Sequence, residues 1–270
     1  VVFPRVLGIE CAGIVEAAPD TPFAAGQAVI ATTGGMGRAY DGSYAEFASV
    51  PAAHVHAVET RLDWTQLAAA PEAFHTAWGA LEPGLGIRAG QSLLIRGGSS
   101  AVGLVAANYA KATGLTVLST TRDPAKAARL RDFGVDHVII DDDRIAPKVR
   151  EILADGVDGV FDLVGTKVLD DSFACVRQGG TLCMAGLLGG EWTIPDFAPG
   201  AVIPSTTKFT YFSSSSTPMP NAALQSYLDG LADGTYRMPL DRVFRFEEIR
   251  DAHACMEANA ANGKIVVSVF

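Results

Sequence analysis

A glycine- and serine-rich turn is the stretch whose residue types and spacing could do chemistry most directly. It reads Gly98-Ser99-Ser100-Ala101-Val102-Gly103, follows an apolar run and opens a helical pattern. Backbone N–H groups at the start of a helix have no partner inside the helix, and the aligned peptide dipoles leave positive charge there. The turn therefore predicts an anion site of the kind that binds the pyrophosphate of a dinucleotide.

The turn departs from the dinucleotide fingerprint G-x-G-x-x-G at one position, because Ser100 stands where the second glycine belongs. Serine is small enough to allow close backbone approach, and we expect its hydroxyl to hydrogen-bond a phosphate oxygen. The expected phosphate contacts come from Ser99, Ser100, Ala101, Val102 and Gly103. The alternative is a glycine-rich turn between a strand and a helix in an unrelated α/β protein.

The end of the next apolar run indicates which dinucleotide binds. NAD sites usually place a carboxylate there for the ribose 2′-hydroxyl, whereas this run ends in Ser119-Thr120-Thr121-Arg122 and its first carboxylate is Asp123. Hydroxyls with cations suit a 2′-phosphate, because Arg pairs with two phosphate oxygens and Lys adds a point charge. We therefore expect NADPH, held at Thr121, Arg122 and Lys126. The alternative is that both cations simply begin a solvated helix.

Five alternations of apolar strand and helix must position this turn. The predicted strands are Ser92–Ile95, Thr116–Thr120, His137–Ile140, Gly159–Leu163 and Thr181–Ala185, with a sixth at Lys208–Ser213. Near-continuous apolar strands that alternate with helices predict a doubly wound parallel sheet, an α/β fold with helices on both faces. The three aspartates at 141–143 match no complete calcium loop and are predicted to form a solvated loop.

The segments on either side of the alternation have a different pattern. Residues 1–65 carry short predicted strands between Gly and Pro residues, one of them at Asp41–Ala48, and this favours a small barrel. Two helices follow, and Pro83-Gly84 is predicted to end the second. After residue 213 the predicted order is helix, strand, helix and strand.

Composition and charge exclude several functions. The 270 residues are enough for two domains, and the net charge of −9 argues against a nucleic-acid or anionic-membrane partner. The four cysteines form no C-x-x-C pair, which predicts neither a zinc lobe nor a redox dithiol. Because we find no signal-peptide pattern and no apolar run of membrane-spanning length, we expect a cytoplasmic protein.

Several short motifs, taken in order, give the chain a family resemblance. They are Gly8-Ile9-Glu10 with Gly13 and Val15, Asp41-Gly42-Ser43-Tyr44-Ala45-Glu46, Thr76-Ala77-Trp78, the phosphate turn, Phe161-Asp162-Leu163-Val164-Gly165, Gly179-Gly180-Thr181 with Gly186, and Gly263-Lys264-Ile265-Val266. In their order and spacing the chain resembles the medium-chain dehydrogenase/reductase superfamily. Within it, the chain resembles the zinc-independent NADPH:quinone oxidoreductase group, the zeta-crystallin-like proteins.

The resemblance implies a division into domains. It implies a Rossmann domain for NADPH at residues 71–213 and a split GroES-like β-barrel catalytic domain at residues 1–70 and 214–270, with the active site between them. Members of the group carry roughly 50 residues ahead of the Gly8 segment, so the catalytic domain is expected to be N-terminally incomplete. The group also implies a homodimer paired along the Rossmann sheet edge, near Lys208–Ser213.

The resemblance bears on metal content and on the reaction. The alcohol-dehydrogenase branch has a His ligand between the Gly and Glu of the first motif, and here Ile9 occupies that position and cannot ligate a metal. We therefore expect no catalytic zinc. Without a Lewis acid, the chemistry that fits is hydride transfer to an acceptor that is already activated, a quinone or an α,β-unsaturated carbonyl compound.

The same resemblance implies roles for single residues. Thr76 is expected to approach the nicotinamide, and Tyr44 to hydrogen-bond or protonate a substrate oxygen. The plainer alternatives are a helix-interior Thr76 and a Tyr44 that only packs on a strand. Other cofactor contacts are expected at or just past strand ends, where apolar packing against helices is again the alternative: Leu163, Val164, Gly186, Leu187, Phe212 and Ser213.

The sequence thus predicts an NADPH-dependent reductase that acts on a small-molecule electron acceptor, a quinone or an enone. Two alternatives stay open. One is an enoyl-thioester or alkenal reductase of the same superfamily. The other is a non-catalytic NADPH-binding sensor or structural protein.

Overall fold

The computed structural model describes residues 1–269, which divide into two compact units. One unit comprises Val1–His75 together with the chain from Ser214 onward, and the other comprises Thr76–Ser213. The assignment of a catalytic domain to residues 1–70 and 214–270 and of a cofactor domain to residues 71–213 stays a prediction, and residue 270 lies outside the described residues.

Eleven strands and nine α-helices are present in the described part of the chain. The strands are β1 Glu10–Ile14, β2 Ala28–Thr32, β3 Val55–Ala57, β4 Ser92–Arg96, β5 Thr116–Thr121, β6 His137–Ile140, β7 Val157–Asp162, β8 Val176–Met184, β9 Lys208–Tyr211, β10 Leu240–Arg245 and β11 Lys264–Ser268. The helices are α1 Trp64–Ala68, α2 Pro71–Gly79, α3 Ala101–Ala112, α4 Ala127–Asp132, α5 Ala146–Ile152, α6 Leu169–Cys175, α7 Pro199–Val202, α8 Asn221–Asp233 and α9 Ile249–Glu257.

The unit Thr76–Ser213 is built on one six-stranded parallel sheet. Its strand order is β6-β5-β4-β7-β8-β9, so the chain runs outward from β4 and then returns to β7 on the other side. The crevice between two such halves, at the carboxyl ends of the strands, is where doubly wound sheets bind ligands. The predicted doubly wound Rossmann fold is confirmed.

A continuous apolar core explains why these strands form. Leu94, Leu118, Val160 and Leu182 lie on four neighbouring strands and are buried in one cluster with Phe173 of α6. Strands covered on both faces need such near-continuous apolar runs, and burial of each large side chain contributes about 1.5–3 kcal/mol.

The other unit contains two smaller sheets. Strands β1, β2 and β3 form an antiparallel sheet, and β10 and β11 form a parallel pair. Phe74 of α2 stacks on Tyr227 of α8 with ring centroids 4.0 Å apart, which ties α8 to the first part of the unit. The predicted class, a Rossmann sheet with a GroES-like β domain, is confirmed at the level of fold.

The predicted strand at Asp41–Ala48 is wrong, because these residues form bends without a regular ladder. The amides of Gly42, Ser43 and Tyr44 donate to the carbonyl oxygens of residues 6, 8 and 7, out of strand order. Gly42 allows this close approach, since a Cβ there would lie 2.2 Å from the Gly8 oxygen.

The prediction that Pro83-Gly84 ends the second helix is also wrong. After α2 the chain continues through a π-helical turn, Ala80–Leu85, that contains Pro83 and ends at Gly86, where φ is +63°. A proline inside an α-helix lacks one donor and clashes with the preceding turn. The wider π turn accommodates it, and Gly86 supplies the left-handed residue that stops the helix.

No helix among residues 1–269 is both long enough and apolar enough to cross a membrane.

Asp158 ties three strands together at the amino-terminal edge of the six-stranded sheet. Its Oδ2 accepts from the backbone N–H and the hydroxyl of Ser92, at 2.8 and 2.7 Å, and its Oδ1 accepts from Nε of Arg177 at 2.7 Å. Partial burial by itself raises the pKa of Asp158, but the bonds from Ser92 and Arg177 outweigh it and hold the pKa below its usual value.

We expect Asp158→Asn to lower the free energy of unfolding at pH 7 by about 1–2 kcal/mol. A depressed folded-state pKa stabilises the fold above the unfolded-state pKa, near about pH 4, and this contribution disappears as the pH falls through the folded-state pKa. Urea unfolding between pH 3 and 8 measures it, with Asp155→Asn, an exposed neighbour, as control. A loss that is equally large at both ends of the range would contradict the role assigned to Asp158.

Candidate functional site

The phosphate turn begins at the carboxyl end of β4, beside the point where the strand order reverses. Gly97 has a φ of +85°, which favours glycine, and its N–H donates to Oγ1 of Thr120 at 3.1 Å. The N–H of Gly98 donates to the Thr120 carbonyl oxygen at 3.0 Å. The turn is therefore attached to the end of β5, the strand that also carries the predicted 2′-phosphate residues.

Ser100 is the N-cap of α3, which corrects the expectation that its hydroxyl donates to phosphate. Its Oγ donates to the Gly97 carbonyl oxygen at 2.8 Å and accepts from the N–H of Gly103 at 3.1 Å. A hydroxyl has a single proton, and here that proton is already committed. Ser100 thus shapes the turn and satisfies one helix N–H group, and the N–H groups of Ala101 and Val102 are the ones left for an anion.

The turn is packed so closely that the outer two glycines of the fingerprint are required. A Cβ at Gly103 would lie 2.6 Å from the Gly98 Cα, and a Cβ at Gly98 would lie 1.7 Å from Oγ of Ser119. That Ser119 hydroxyl is fully buried and has no hydrogen-bond partner in the described chain. A tight glycine turn, open helix N–H groups and an orphaned hydroxyl together fit the phosphates of a dinucleotide.

The predicted 2′-phosphate residues follow directly along the chain but differ in exposure. The Thr121 hydroxyl donates to the Asp123 carbonyl oxygen at 3.2 Å and accepts from the Asp123 N–H at 3.1 Å, so its proton is not available to a phosphate. Arg122 is exposed, whereas Lys126 is buried rather than part of a solvated helix start. Of the three, Arg122 presents the accessible cation.

Three further strand ends meet at the same edge. Leu163 and Val164 follow β7, Gly186 and Leu187 follow β8, and Phe212 and Ser213 follow β9. The Leu163 N–H donates to the Arg96 carbonyl oxygen at 3.0 Å, and a Cβ at Gly186 would lie 2.3 Å from the Leu163 oxygen. The β4, β7 and β8 ends are therefore packed against each other. The Phe212 ring is buried against Gly79 of α2, where a Cβ would lie 1.9 Å from its Cζ.

The two predicted catalytic residues lie in different units. Thr76 is buried in α2 and opens the unit of the parallel sheet. Tyr44 lies in the other unit, where its hydroxyl is 3.1 Å from Nε2 of His253 on α9 and the two rings meet edge to face. Burial raises the pKa of Tyr44, and Glu10 adds to this effect while Lys264 opposes it. The Tyr44 hydroxyl therefore stays protonated at neutral pH.

Sequence reasoning missed Arg96, the last residue of β4, whose side chain is fully buried. Its guanidinium pairs with both carboxylate oxygens of Asp141, at 3.1 and 3.2 Å, and with Asp171 at 2.9 Å. The prediction of a solvated loop is therefore wrong for Asp141, whereas Asp142 and Asp143 are exposed loop residues as predicted. The available signal was an Arg after an apolar run together with aspartates at the ends of two other strands of the sheet, β6 and β7, since parallel strand ends share one edge.

Asp162, at the end of β7, completes this cluster. Its Oδ1 accepts from the N–H groups of Val164 and Gly165, both at 2.8 Å, and its Oδ2 accepts from the Ser172 hydroxyl at 2.5 Å. Burial raises the pKa of Asp162, while these bonds and the Arg96 charge oppose the shift. The carboxylate therefore fixes the backbone of the loop that follows β7.

The capping role of Ser100 predicts a specific order of stabilities. We expect Ser100→Ala to lower the free energy of unfolding by about 1 kcal/mol, and Ser100→Gly by only a few tenths, because glycine is tolerated at an N-cap. Urea unfolding measures both, and Ser99→Ala is the control, expected to stay within about 0.5 kcal/mol of the wild type. A Gly variant as unstable as the Ala variant would show that capping is not what Ser100 contributes.

Known proteins match the chain over both units. The family model described as zinc-binding dehydrogenase matches residues 133–267, half of the chain. A candidate quinone oxidoreductase of Bacillus subtilis is 30% identical over 192 residues, which cover 70% of this chain and 58% of that protein. The quinone oxidoreductase of Pseudomonas aeruginosa is 29% identical over 274 residues, covering 98% of this chain and 82% of the relative.

A solved structure has the same fold over nearly the whole chain. A mycobacterial protein in complex with NADPH superposes with a TM-score of 0.86 at 25% identity, covering 99% of this chain and 83% of the other. The chain thus spans 58% to 83% of the length of these three proteins.

Zinc, which the family description names, does not fit the residues present. Among residues 1–269 no group of three His, Cys, Asp or Glu side chains could hold a metal ion, and Ile9 offers no ligand. The dinucleotide turn, by contrast, fits on its geometry, and the matched family and the relatives agree with it. The chain belongs to the zinc-binding dehydrogenase family of the medium-chain dehydrogenase/reductase superfamily, and within it to the quinone oxidoreductase-like group.

Proposed function

We propose that the chain is an NADPH-dependent oxidoreductase that reduces a quinone or an α,β-unsaturated carbonyl compound without a metal. The observation that carries the proposal is the phosphate turn, where Gly98 and Gly103 meet without Cβ atoms and a buried Ser119 hydroxyl has no partner. The relatives named quinone oxidoreductase and the NADPH-bound neighbour support the acceptor class and the cofactor.

Specific residues of the cofactor unit would hold NADPH. The N–H groups of Ala101 and Val102, with Ser99, Ser100 and Gly103 shaping the turn, would bind the pyrophosphate. Arg122 is exposed and would pair with the 2′-phosphate, with Thr121 and Lys126 beside it in the chain. The strand-end residues would line the nicotinamide half: Leu163, Val164, Gly186, Leu187, Phe212 and Ser213.

Bound NADPH supplies the hydride, which is the difficult part of the chemistry. Thr76 is proposed to orient the nicotinamide, since it is a buried hydroxyl at the start of the cofactor unit. Tyr44 is proposed to donate a hydrogen bond or a proton to the acceptor oxygen as negative charge develops there. Its raised pKa keeps the donor protonated, and the hydrogen-bonding contact with Nε2 of His253 at 3.1 Å orients the hydroxyl.

The donor set supports the proposal of an acceptor that needs no metal polarisation. Reducing a simple ketone or aldehyde requires strong stabilisation of an alkoxide, which zinc provides in metal-dependent members of such families. A quinone or an enone delocalises the incoming charge itself. Hydrogen-bond donors such as the Tyr44 hydroxyl are then sufficient.

The exposed edge strand β9 supports a homodimer, which the family resemblance implies. On β9, Tyr211 is 61% exposed and Phe209 is 40% exposed, and the strand pairs with β8 along one side only. An unpaired edge with exposed aromatic residues favours association with a second copy. Sedimentation of the full chain tests this proposal, and a monomer throughout the micromolar range would contradict it.

The cytoplasmic location stays a prediction.

The activity itself is tested by following NADPH oxidation by the full chain with a panel of small quinones, enones, enoyl thioesters and alkenals. We expect turnover with quinones or enones, unchanged by a metal chelator because residues 1–269 contain no group of side chains that could hold a metal ion. Turnover with thioesters or alkenals alone would favour the other reductase branch. Tight NADPH binding without turnover on any acceptor would favour a sensor.

Cofactor choice gives a sharper prediction at Arg122. We expect Arg122→Ala to weaken NADPH binding by at least about tenfold, because charge-assisted bonds to phosphate contribute about 1.5–3 kcal/mol. NADH has no 2′-phosphate, so its Kd should change by less than about threefold. Arg131→Ala, at an exposed site of α4, is the matched control. Calorimetric titration of the wild type and both variants measures the Kd for NADPH and for NADH. If Arg122→Ala weakens the binding of NADPH and NADH equally, the assignment of Arg122 to the 2′-phosphate is wrong.

A further inference from the structure

Arg96 directly precedes the phosphate turn, and its side chain connects several elements at the carboxyl ends of the strands. Its Nη1 donates to Asp171, to Ser172 Oγ and to the Val168 carbonyl oxygen, at 2.9, 3.0 and 3.2 Å. Its Nε and Nη2 reach Asp141, and Nη2 also donates to the Asp143 carbonyl oxygen at 3.0 Å. One guanidinium thereby fixes α6, the turn before it, and the loop between β6 and α5.

The backbone of the same residue connects directly to the dinucleotide turn. The Arg96 carbonyl oxygen accepts from Leu163 at the end of β7, and the next two N–H groups, of Gly97 and Gly98, donate to Thr120 on β5. The strands β5, β4 and β7 are neighbours in the sheet, and β4 and β7 are the two between which the strand order reverses. The backbone of Arg96 and of the two residues that follow it is therefore hydrogen-bonded to both neighbouring strands, β5 and β7.

The charges of the cluster make Arg96 hard to replace. Asp141, Asp162 and Asp171 all face the guanidinium. Burial by itself lowers the pKa of Arg96, but the hydrogen bond with Asp141 and the charges of the three carboxylates outweigh it and raise the pKa. Without the guanidinium, Asp141 and Asp171 each lose a charged donor and all three carboxylates lose the opposing charge, and breaking a buried pair in this way is strongly destabilising. Asp171 also accepts from the N–H groups of Ile145 and Ala146 at the start of α5, so the disturbance reaches a third element.

We propose that Arg96 is a positioning residue for the dinucleotide turn, and that its buried ion-pair cluster holds residues 97–103 in the geometry that an anion requires. The guanidinium is fully buried and acts through the segments that it bonds, which are α6 and the loop after β6, and through Ser172 on Asp162 at the end of β7. The part of the proposal that concerns NADPH rests on the proposed function. The part that concerns the turn does not.

The ligand-free protein tests the turn. We expect Arg96→Ala to speed hydrogen exchange of the hydrogen-bonded amides within residues 97–103, those of Gly97, Gly98, Ser100 and Gly103, by at least about tenfold, because local opening there no longer breaks the cluster. The matched control is Arg177→Ala, which removes an ion pair from the opposite edge of the same sheet, at Asp158. It is expected to speed exchange near its own site and to change residues 97–103 by less than about twofold. Equal acceleration of residues 97–103 in both variants would overturn the proposal.

The NADPH arm separates the two proposals. We expect Arg96→Ala to raise the Kd for NADPH at least about thirtyfold and Arg177→Ala less than about threefold, and about 20 mM guanidinium to restore affinity to the Arg96 variant only. If the wild type does not bind NADPH, the proposed function fails, whereas the exchange result still decides the role of Arg96. If Arg96→Ala does not fold, Arg96→Lys replaces it. Lysine keeps the charge but has a single donor group, so exchange in residues 97–103 should be faster than in the wild type, but by less than the factor expected for Arg96→Ala. Wild-type exchange and affinity in a folded Arg96 variant would overturn the positioning role.

Discussion

A single buried guanidinium determines how the ends of the parallel strands can be arranged. Arg96 is fully buried and faces three carboxylates, Asp141, Asp162 and Asp171, each from a different element. Charges are removed from water at high cost unless each is paired and hydrogen-bonded, so the elements that carry them have little freedom to shift. Apolar packing alone is non-directional, whereas the polar cluster has directional bonds that fix α6 and the loop after β6 against the end of β4.

The phosphate turn departs from the fingerprint at one position and keeps its tight local geometry. At Ser100 the fingerprint glycine is replaced, and the serine caps α3 instead of binding an anion. The anion site then depends on backbone groups, the N–H groups of Ala101 and Val102, whose positions are set by the cap on one side and by Thr120 on the other. A side chain that only shapes the backbone can vary, whereas Gly98 and Gly103 have no space for a Cβ.

Much of the fold could be predicted because the strands of the parallel sheet are apolar runs bounded by turn residues. His137–Ile140 was predicted with its observed bounds, and the other five strands overlap their predicted ranges. The errors have physical reasons. Pro83 lies in a π turn that local rules do not predict. Asp41–Ala48 alternates like a strand, but its backbone is held out of strand geometry where Gly42 packs closely against Gly8. Local patterns do not encode such distant contacts.

The site was predictable where it consists of backbone, and less so where it depends on partners far apart in sequence. The phosphate turn was visible because helix start and glycine spacing are local. The pairing of Arg96 with Asp141 spans 45 residues, so neither side chain shows its partner in its own neighbourhood. The same holds for Tyr44, whose hydroxyl meets His253 across 209 residues. Folds that bind a dinucleotide carry many different reactions, and side chains from distant parts of the chain determine which reaction occurs. The proposed acceptors take up hydride and a proton without zinc, and a protonated tyrosine beside a histidine and Ile9 in place of a metal ligand support that proposal.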